Sequence, residues 1–283
     1  MNKRPIIAWI WLICGLGFTS SCASEKDYLV TLTTEYGTMY AILYEESPAH
    51  KENFIKLATS GRYDSTEFHR IIRDFMIQGG DVFTKEGLPQ EDWYTLPAEI
   101  HPDLIHEKGS LAAARQGDRI NPERRSSGCQ FYIVQGRVYD EAALTTDMAK
   151  LQKVFFQYLQ LDSNEGLRET YRRLYEKQEI DSINALMLSK KVVLEQFFNV
   201  NLGISKRENQ LQAYTTVGGA PHLDDTYTVF GKVIQGLEVM EKISRVETDQ
   251  NDKPITPVYM HVDIELVTKK KITEEYGFTY PEE

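Results

Sequence analysis

The densest run of residues able to do chemistry is Phe68-His-Arg-Ile-Ile-Arg-Asp-Phe-Met-Ile-Gln-Gly-Gly-Asp81. Strand alternation would put Phe68, Arg70 and Ile72 on one face. A permanently charged guanidinium beside two apolar side chains is costly unless it lines a site or is ion-paired at the surface. Gln78 carries two donors and two acceptors, enough to orient a neighbour and a peptide backbone. Phe75, Met76, Tyr132 and Leu223, each taken alone, read as core. Other signals are thin. His101, His106 and Glu107 lack the HExxH spacing of a metal site and read as surface loop residues. Gln78-Gly79-Gly80-Asp81 has neither the length nor the Lys of a phosphate loop, so its glycines read as a tight turn. Asp249 to Asp252 does not match a calcium loop. No metal and no cofactor is expected.

Two further stretches share the first one's character: Gly109-Ser-Leu-Ala-Ala-Ala114 followed by Ser127-Gly-Cys-Gln-Phe-Tyr-Ile133, and His222-Leu-Asp-Asp-Thr-Tyr-Thr-Val-Phe-Gly-Lys-Val233. In this order the three resemble the signatures of cyclophilin-type peptidyl-prolyl cis/trans isomerases, over nearly all of residues 28–134 and 216–267. The resemblance implies catalysis of Xaa-Pro rotation on proline-containing polypeptides. That reaction faces a barrier of about 18–20 kcal/mol, because the nitrogen lone pair is delocalised into the carbonyl. It needs no nucleophile, only a donor for the prolyl nitrogen and a surface that favours the twisted bond. The resemblance makes Arg70 that donor, with Gln78 orienting it. It makes Phe75, Met76, Tyr132 and Leu223 the proline pocket, and gives Ala112, Ala114 and Gln130 the groove for preceding residues.

Four departures stand out from the family pattern. Ala113 replaces an Asn that meets substrate mainly through its main chain. Tyr132 stands for Phe, His222 for the Trp of many eukaryotic members, and Tyr227 for His. The last two resemble bacterial forms, and the loss of Trp implies weak cyclosporin binding. Ala113 and a large helical insertion keep open an alternative, a non-catalytic cyclophilin-fold binding module at the cell envelope.

The 283 residues are 41% hydrophobic and 26% charged, with a formal net charge of -10. An acidic chain repels phosphate backbones, so no nucleic-acid partner is expected. Lys3 and Arg4 precede an apolar stretch, Ile6 to Phe18, too short for the roughly 20 residues that span a bilayer. Residues 1–21 therefore read as a signal peptide. Thr19-Ser-Ser-Cys22 resembles a bacterial lipobox, which makes Cys22 the lipidated residue and membrane anchor. Ala23, in place of the Asp that retains lipoproteins at the inner membrane, points to the outer membrane facing the periplasm. Cleavage after Ala23, giving a soluble periplasmic protein, is the alternative. Cys14 would leave with the signal, and Cys129 would remain a lone thiol.

The elements that must position these residues follow from periodicity. Residues 22–27 read as a tether, and 28–135 as the first part of the barrel domain, opening on a hairpin through Tyr28–Thr34 and Thr38–Tyr44. Ser47-Pro48 starts a helix that Gly61 closes, with Phe54, Leu57 and Ala58 on one face. Short strands dominate up to Val134 and again in residues 216–268. Residues 136–215 are helical, with packing stripes such as Leu151, Val154, Phe155 and Tyr158, and with Ser205 and Glu208 as a capping box. Residues 269–283 read as a tail whose lysine triplet is a solvated face. The expected fold is mainly β: a closed eight-stranded antiparallel barrel capped by helices, with an all-α insertion. That insertion joins the barrel beside the groove, as an arm or lid, or else packs only on itself.

Overall fold

The computed structural model describes residues 25–281. The expected signal peptide, residues 1–21, and the expected lipidation site Cys22 lie outside the described residues. Ten strands form among the described residues: β1 (Lys26–Thr34), β2 (Gly37–Leu43), β3 (Thr66–Ile72), β4 (Met76–Gly79), β5 (Thr95–Leu96), β6 (Ser110–Ala113), β7 (Ser126–Ser127), β8 (Phe131–Val134), β9 (Val229–Gln235) and β10 (Tyr259–Thr268). Eight of them close an antiparallel barrel in the order β1-β10-β3-β4-β8-β6-β9-β2, and β5 pairs with β7 outside it. β1 begins inside the expected tether because Asp27 is buried, accepting from the Lys51 ammonium at 2.9 Å.

Alternation along the strands divides two apolar clusters. Inside the barrel lie Val30, Leu32, Met39, Leu43, Phe68, Ile77, Leu111, Phe131 and Ile133. Helices α1 (Pro48–Thr59) and α9 (Leu237–Ile243) plug it with Phe54, Leu57, Val239, Met240 and Ile243. Ser47 does not cap α1; its hydroxyl donates to the Val229 carbonyl. Glu99 takes over that role, accepting from the Ala49 and His50 amides at 2.9 and 3.0 Å. Outside the barrel wall lie Met76, Ala112, Tyr132, Val134, Leu223 and Val229. The Gly79-Gly80 turn is as expected: Gly80 has φ +76, and a Cβ there would strike Phe131.

After a short helix α2 (Val82–Lys85), the remaining helices follow β8: α3 (Glu141–Leu144), α4 (Met148–Leu159), α5 (Glu165–Glu176), α6 (Ile180–Ser189), α7 (Lys191–Phe198) and α8 (Glu208–Thr216). They are two units. α4 to α7 share one core of Leu151, Val154, Phe155, Leu159, Ile183, Met187 and Leu194. An antiparallel bridge between Thr146 and Gly203 closes its base, with Asp147 and Ile204 amides bonded across it. α3 and α8 belong instead to a cluster with Ile105 of the barrel domain, through Leu144 and Tyr214. The cap of α8 also differs from expectation. Gln210 Oε1 accepts from the Arg207 amide at 3.1 Å, so the box starts at Arg207 rather than Ser205. The chain leaving β8 and the chain returning after α8 meet where Gly136 touches Gly219, an approach with no room for a Cβ at Gly136.

The expected tail is structured too. Thr268 caps α10 (Lys269–Tyr276), whose Ile272 is buried with Leu29, Ile42 and Val267. Within it Lys269 pairs with Glu25 at 2.6 Å. No helix among the described residues is long and apolar enough to cross a membrane.

The two units predict different costs. Excising residues 148–201 with a short Gly linker between Asp147 and Leu202 should leave the barrel melting within a few degrees of the full chain, since Gly203 already bridges Thr146. Excising 136–215 removes buried hydrogen-bond donors from Asp224, each costing roughly 1–3 kcal/mol, and should lower the midpoint clearly. Thermal circular dichroism reads both; a barrel that unfolds on the shorter excision refutes the division.

Candidate active site

Arg70 owes its position to a bulge. The β3–β4 register runs Phe68 opposite Gly79, then Arg70 opposite Gln78, so His69 is an extra residue on β3. The bulge corrects the expected alternation. Phe68 and Ile71 point into the barrel, whereas Arg70 and Ile72 face outward. Arg70 is 46% exposed and its Nε lies 3.6 Å from Asp252 Oδ2. The loop carrying Asp252 is pinned to β3, because the Ile71 amide donates to the Asp252 carbonyl at 2.8 Å. An ion pair this exposed contributes little to stability.

Beside Arg70 opens a pocket of about 460 Å³ lined by Phe75, Met76, Gln78, Ala114, Arg115, Tyr132, His222, Leu223 and Tyr227. Cross-strand pairing assembles its floor: Gln78 stands opposite Tyr132, and Tyr132 opposite Ala112. Phe75 and His222 rings face each other at 5.1 Å across the mouth. Burial pushes the His222 imidazole below its ordinary value and the Tyr132 hydroxyl well above its own, so both are neutral near pH 7. A second pocket, about 410 Å³, continues past Gln78, Ala114 and Arg115 to Phe83, Trp93, Tyr94 and Ile120. No residue of 136–215 lines either pocket.

The structure thus gathers Arg70, Phe75, Met76, Gln78, Ala114, Tyr132, His222, Leu223 and Tyr227 around one pocket. Gln130 sits at the junction, where it accepts from Gln78 Nε2 at 3.0 Å. Gln78 bonds Gln130, not Arg70, which corrects its expected orienting role. Ala112 is fully buried beneath the pocket. Ala113 does not reach the groove with its side chain. It stands opposite Phe131 and faces the barrel interior, while its amide donates to the Thr228 carbonyl at 2.9 Å.

Three participants were not expected. Arg115 lies 4.2 Å over the Tyr227 ring and donates to the Thr226 carbonyl at 3.0 Å, which makes it the partition between the pockets. Its signal was legible, a lone cation directly after Ala114. Asp252 has no such signal. His106, expected in a surface loop, is fully buried behind Tyr132, with its Nε2 3.1 Å from the hydroxyl.

The family model of "Cyclophilin type peptidyl-prolyl cis-trans isomerase/CLD" matches residues 29–156 and 197–263, more than half of the chain. A Staphylococcus haemolyticus protein named as a peptidyl-prolyl cis-trans isomerase is 27% identical over 85% of this chain and 93% of its own. One from Staphylococcus saprophyticus is 27% identical over 84% and 91%. A crystal structure of a Cryptosporidium parvum cyclophilin type peptidyl-prolyl cis-trans isomerase covers 86% of this chain and 99% of its own, at 20% identity and TM-score 0.49.

The inward side chain at 113 gives a test. Ala113→Asn, which introduces the residue expected from the family pattern, should destabilise by about 1–3 kcal/mol through overpacking and amide burial. Urea unfolding measures it; a neutral or stabilising result would place that side chain outside the barrel core.

Proposed function

This chain belongs to the cyclophilin-type peptidyl-prolyl cis-trans isomerase family, and from that membership we propose that it turns Xaa-Pro bonds of exported proteins at the cell envelope, with Arg70 as the catalytic donor. The chain is an isomerase; the assignment of roles and clients is our reading. The observation that carries it is the half-exposed Arg70 guanidinium at the rim of an open apolar pocket.

The proline ring enters between Phe75, Met76, Tyr132 and Leu223, where burial of its apolar surface supplies binding energy at roughly 25 cal/mol per Å². Arg70 holds the prolyl carbonyl and donates toward the nitrogen as the bond twists and its lone pair localises. That interaction strengthens only in the twisted state, which is what accelerates the step. Gln78 and Gln130, bonded to each other, present amides to the substrate backbone. Residues preceding proline extend over Ala114 toward the second pocket. No proton is transferred, consistent with the neutral Tyr132 and His222. Nothing in this arrangement favours the non-catalytic alternative, because the pocket is open and Arg70 is present.

Arg70→Ala should lower kcat/KM for an Xaa-Pro tetrapeptide about 100- to 1,000-fold, the loss found when a transition-state donor is removed. Arg70→Lys should recover little, since an ammonium lacks the planar fork. If the wild-type chain merely matches the spontaneous rate, the binding-module alternative replaces this assignment.

Export and anchoring rest on Lys3, Arg4, the Ile6 to Phe18 core and Cys22. We assign the chain to the envelope as a lipoprotein of the outer membrane facing the periplasm, held by lipid on Cys22. In fractionated cells the wild type should sediment with membranes and take up labelled fatty acid. Cys22→Ala should do neither; uptake of label by that variant would overturn the assignment, and a wild type in the soluble fraction would support cleavage after Ala23.

A further inference from the structure

The pocket wall and the inserted segment meet at one buried carboxylate. Asp224 is 8% exposed. Its Oδ1 accepts from the His106 amide at 2.9 Å and faces His106 Nδ1 at 3.0 Å. Its Oδ2 accepts from Gln210 Nε2 at 2.7 Å and from the Tyr214 hydroxyl at 2.6 Å. Gln210 and Tyr214 are one turn apart on the same face of α8. Burial alone would raise the Asp224 pKa, but the bonds from His106 and Tyr214 outweigh it and hold the group below its ordinary value. An ionised carboxylate only accepts, so His106 Nδ1 carries a proton toward Asp224.

The other ring nitrogen, His106 Nε2, lies 3.1 Å from the Tyr132 hydroxyl. The two rings stack at 6.1 Å with an interplanar angle of 15°, and Tyr132 meets Tyr227 edge-on at 6.2 Å. Tyr132 and Tyr227 are walls of the proline pocket. A Phe at 132, the residue the family pattern expects, would end the chain of hydrogen bonds at His106. The hydroxyl carries it to the pocket.

We propose that His106 and Asp224 form a positioning pair for the isomerase pocket, and that helix α8 of the inserted segment sets it through Gln210 and Tyr214. Asp224 is saturated by four donors, so loss of one from α8 leaves a buried carboxylate that must shift or recruit water. Any shift is passed by His106 to the plane of Tyr132. The inserted segment thereby tunes turnover without covering the pocket. This rests on the isomerase reading of that pocket.

The test is a double-mutant cycle in the full chain, reading kcat and KM for an Xaa-Pro tetrapeptide together with the melting temperature. Tyr214→Phe and Tyr132→Phe should each lower kcat/KM about fivefold, the worth of roughly one buried hydrogen bond. The double variant should fall no further than the worse single one, because both cut the same path. A merely structural network predicts lower melting temperatures with wild-type kcat/KM, or losses that multiply; either result overturns the proposal. If Tyr214→Phe does not fold, Gln210→Met removes the other Oδ2 donor and is read in the same way. Arg70→Ala assayed beside them separates the two readings. A silent Arg70→Ala overturns Arg70 as the donor, and with it the reading of this pocket as the reaction site and the coupling that rests on it. A damaging Arg70→Ala with Tyr214→Phe at wild-type turnover overturns the coupling alone.

Discussion

A closed barrel wall has two faces, and every strand residue is committed to one of them. The barrel interior takes alternate side chains, including Leu111, Ala113, Phe131 and Ile133, and packs them to exclusion of water around the plugs from α1 and α9. What remains, Ala112, Tyr132, Val134 and Met76, forms the outer surface on which the pocket is built. The strands cannot slip, because a shift of one residue would bury Gln78 and expose Ile77. Of the register shifts in the barrel, the one that shapes the site is the extra residue at His69. It turns Arg70 out of the interior while Phe68 and Ile71 stay in it. Without that bulge, strict alternation would place Arg70 on the same face as Phe68, in a core that offers it no acid.

How much of this was legible follows from whether the cause was local. Hairpin, helix starts and most strands came from residue type and period, and they lie within a residue or two of expectation. The pocket residues came from motif resemblance, and nine of the expected side chains surround one cavity. The expectation for Arg70 reached the right surface by the wrong route, since a bulge is a property of two paired strands and not of one. Ala113 failed for the complementary reason: the resemblance located a substrate-contacting position, while the register turned its side chain inward. His106 and Asp224 are 118 residues apart in sequence. No local pattern joins them, so His106 read as a surface residue.

The helical segment after β8 leaves the barrel and returns to it at one place. A Cβ at Gly136 would strike Gly219, and one at Gly219 would strike the His106 carbonyl, so the outgoing and returning chains pass each other at a crossing only glycine allows. The α4 to α7 unit then satisfies its own core and is closed by the Thr146–Gly203 bridge. α8 behaves differently. It brings Gln210 and Tyr214 to a carboxylate that sits one residue after a pocket wall, Leu223. The expected boundary at 215 therefore separates Gln210 and Tyr214 from the carboxylate they bond, whereas the helices with their own core lie between 146 and 203.

The chemistry explains why the site tolerates departures from its family pattern. Rotating an Xaa-Pro bond moves no proton and forms no covalent intermediate, so no residue must be matched in acidity to a reacting group. What the reaction needs is an apolar recess of fixed shape and one fixed cation at its rim. His222 and Tyr227 change the chemistry of the rim, yet His222 stays neutral and packs against Phe75, and Tyr227 stacks under Arg115. Shape is therefore the quantity to be conserved, and a hydroxyl at 132 threatens it unless its polar atom has a partner away from the pocket. His106 supplies that partner. A buried imidazole in turn needs its other nitrogen satisfied, which calls for Asp224, and a buried carboxylate needs its remaining oxygen satisfied, which calls for α8. Each polar group is there because the one before it could not be left unpaired.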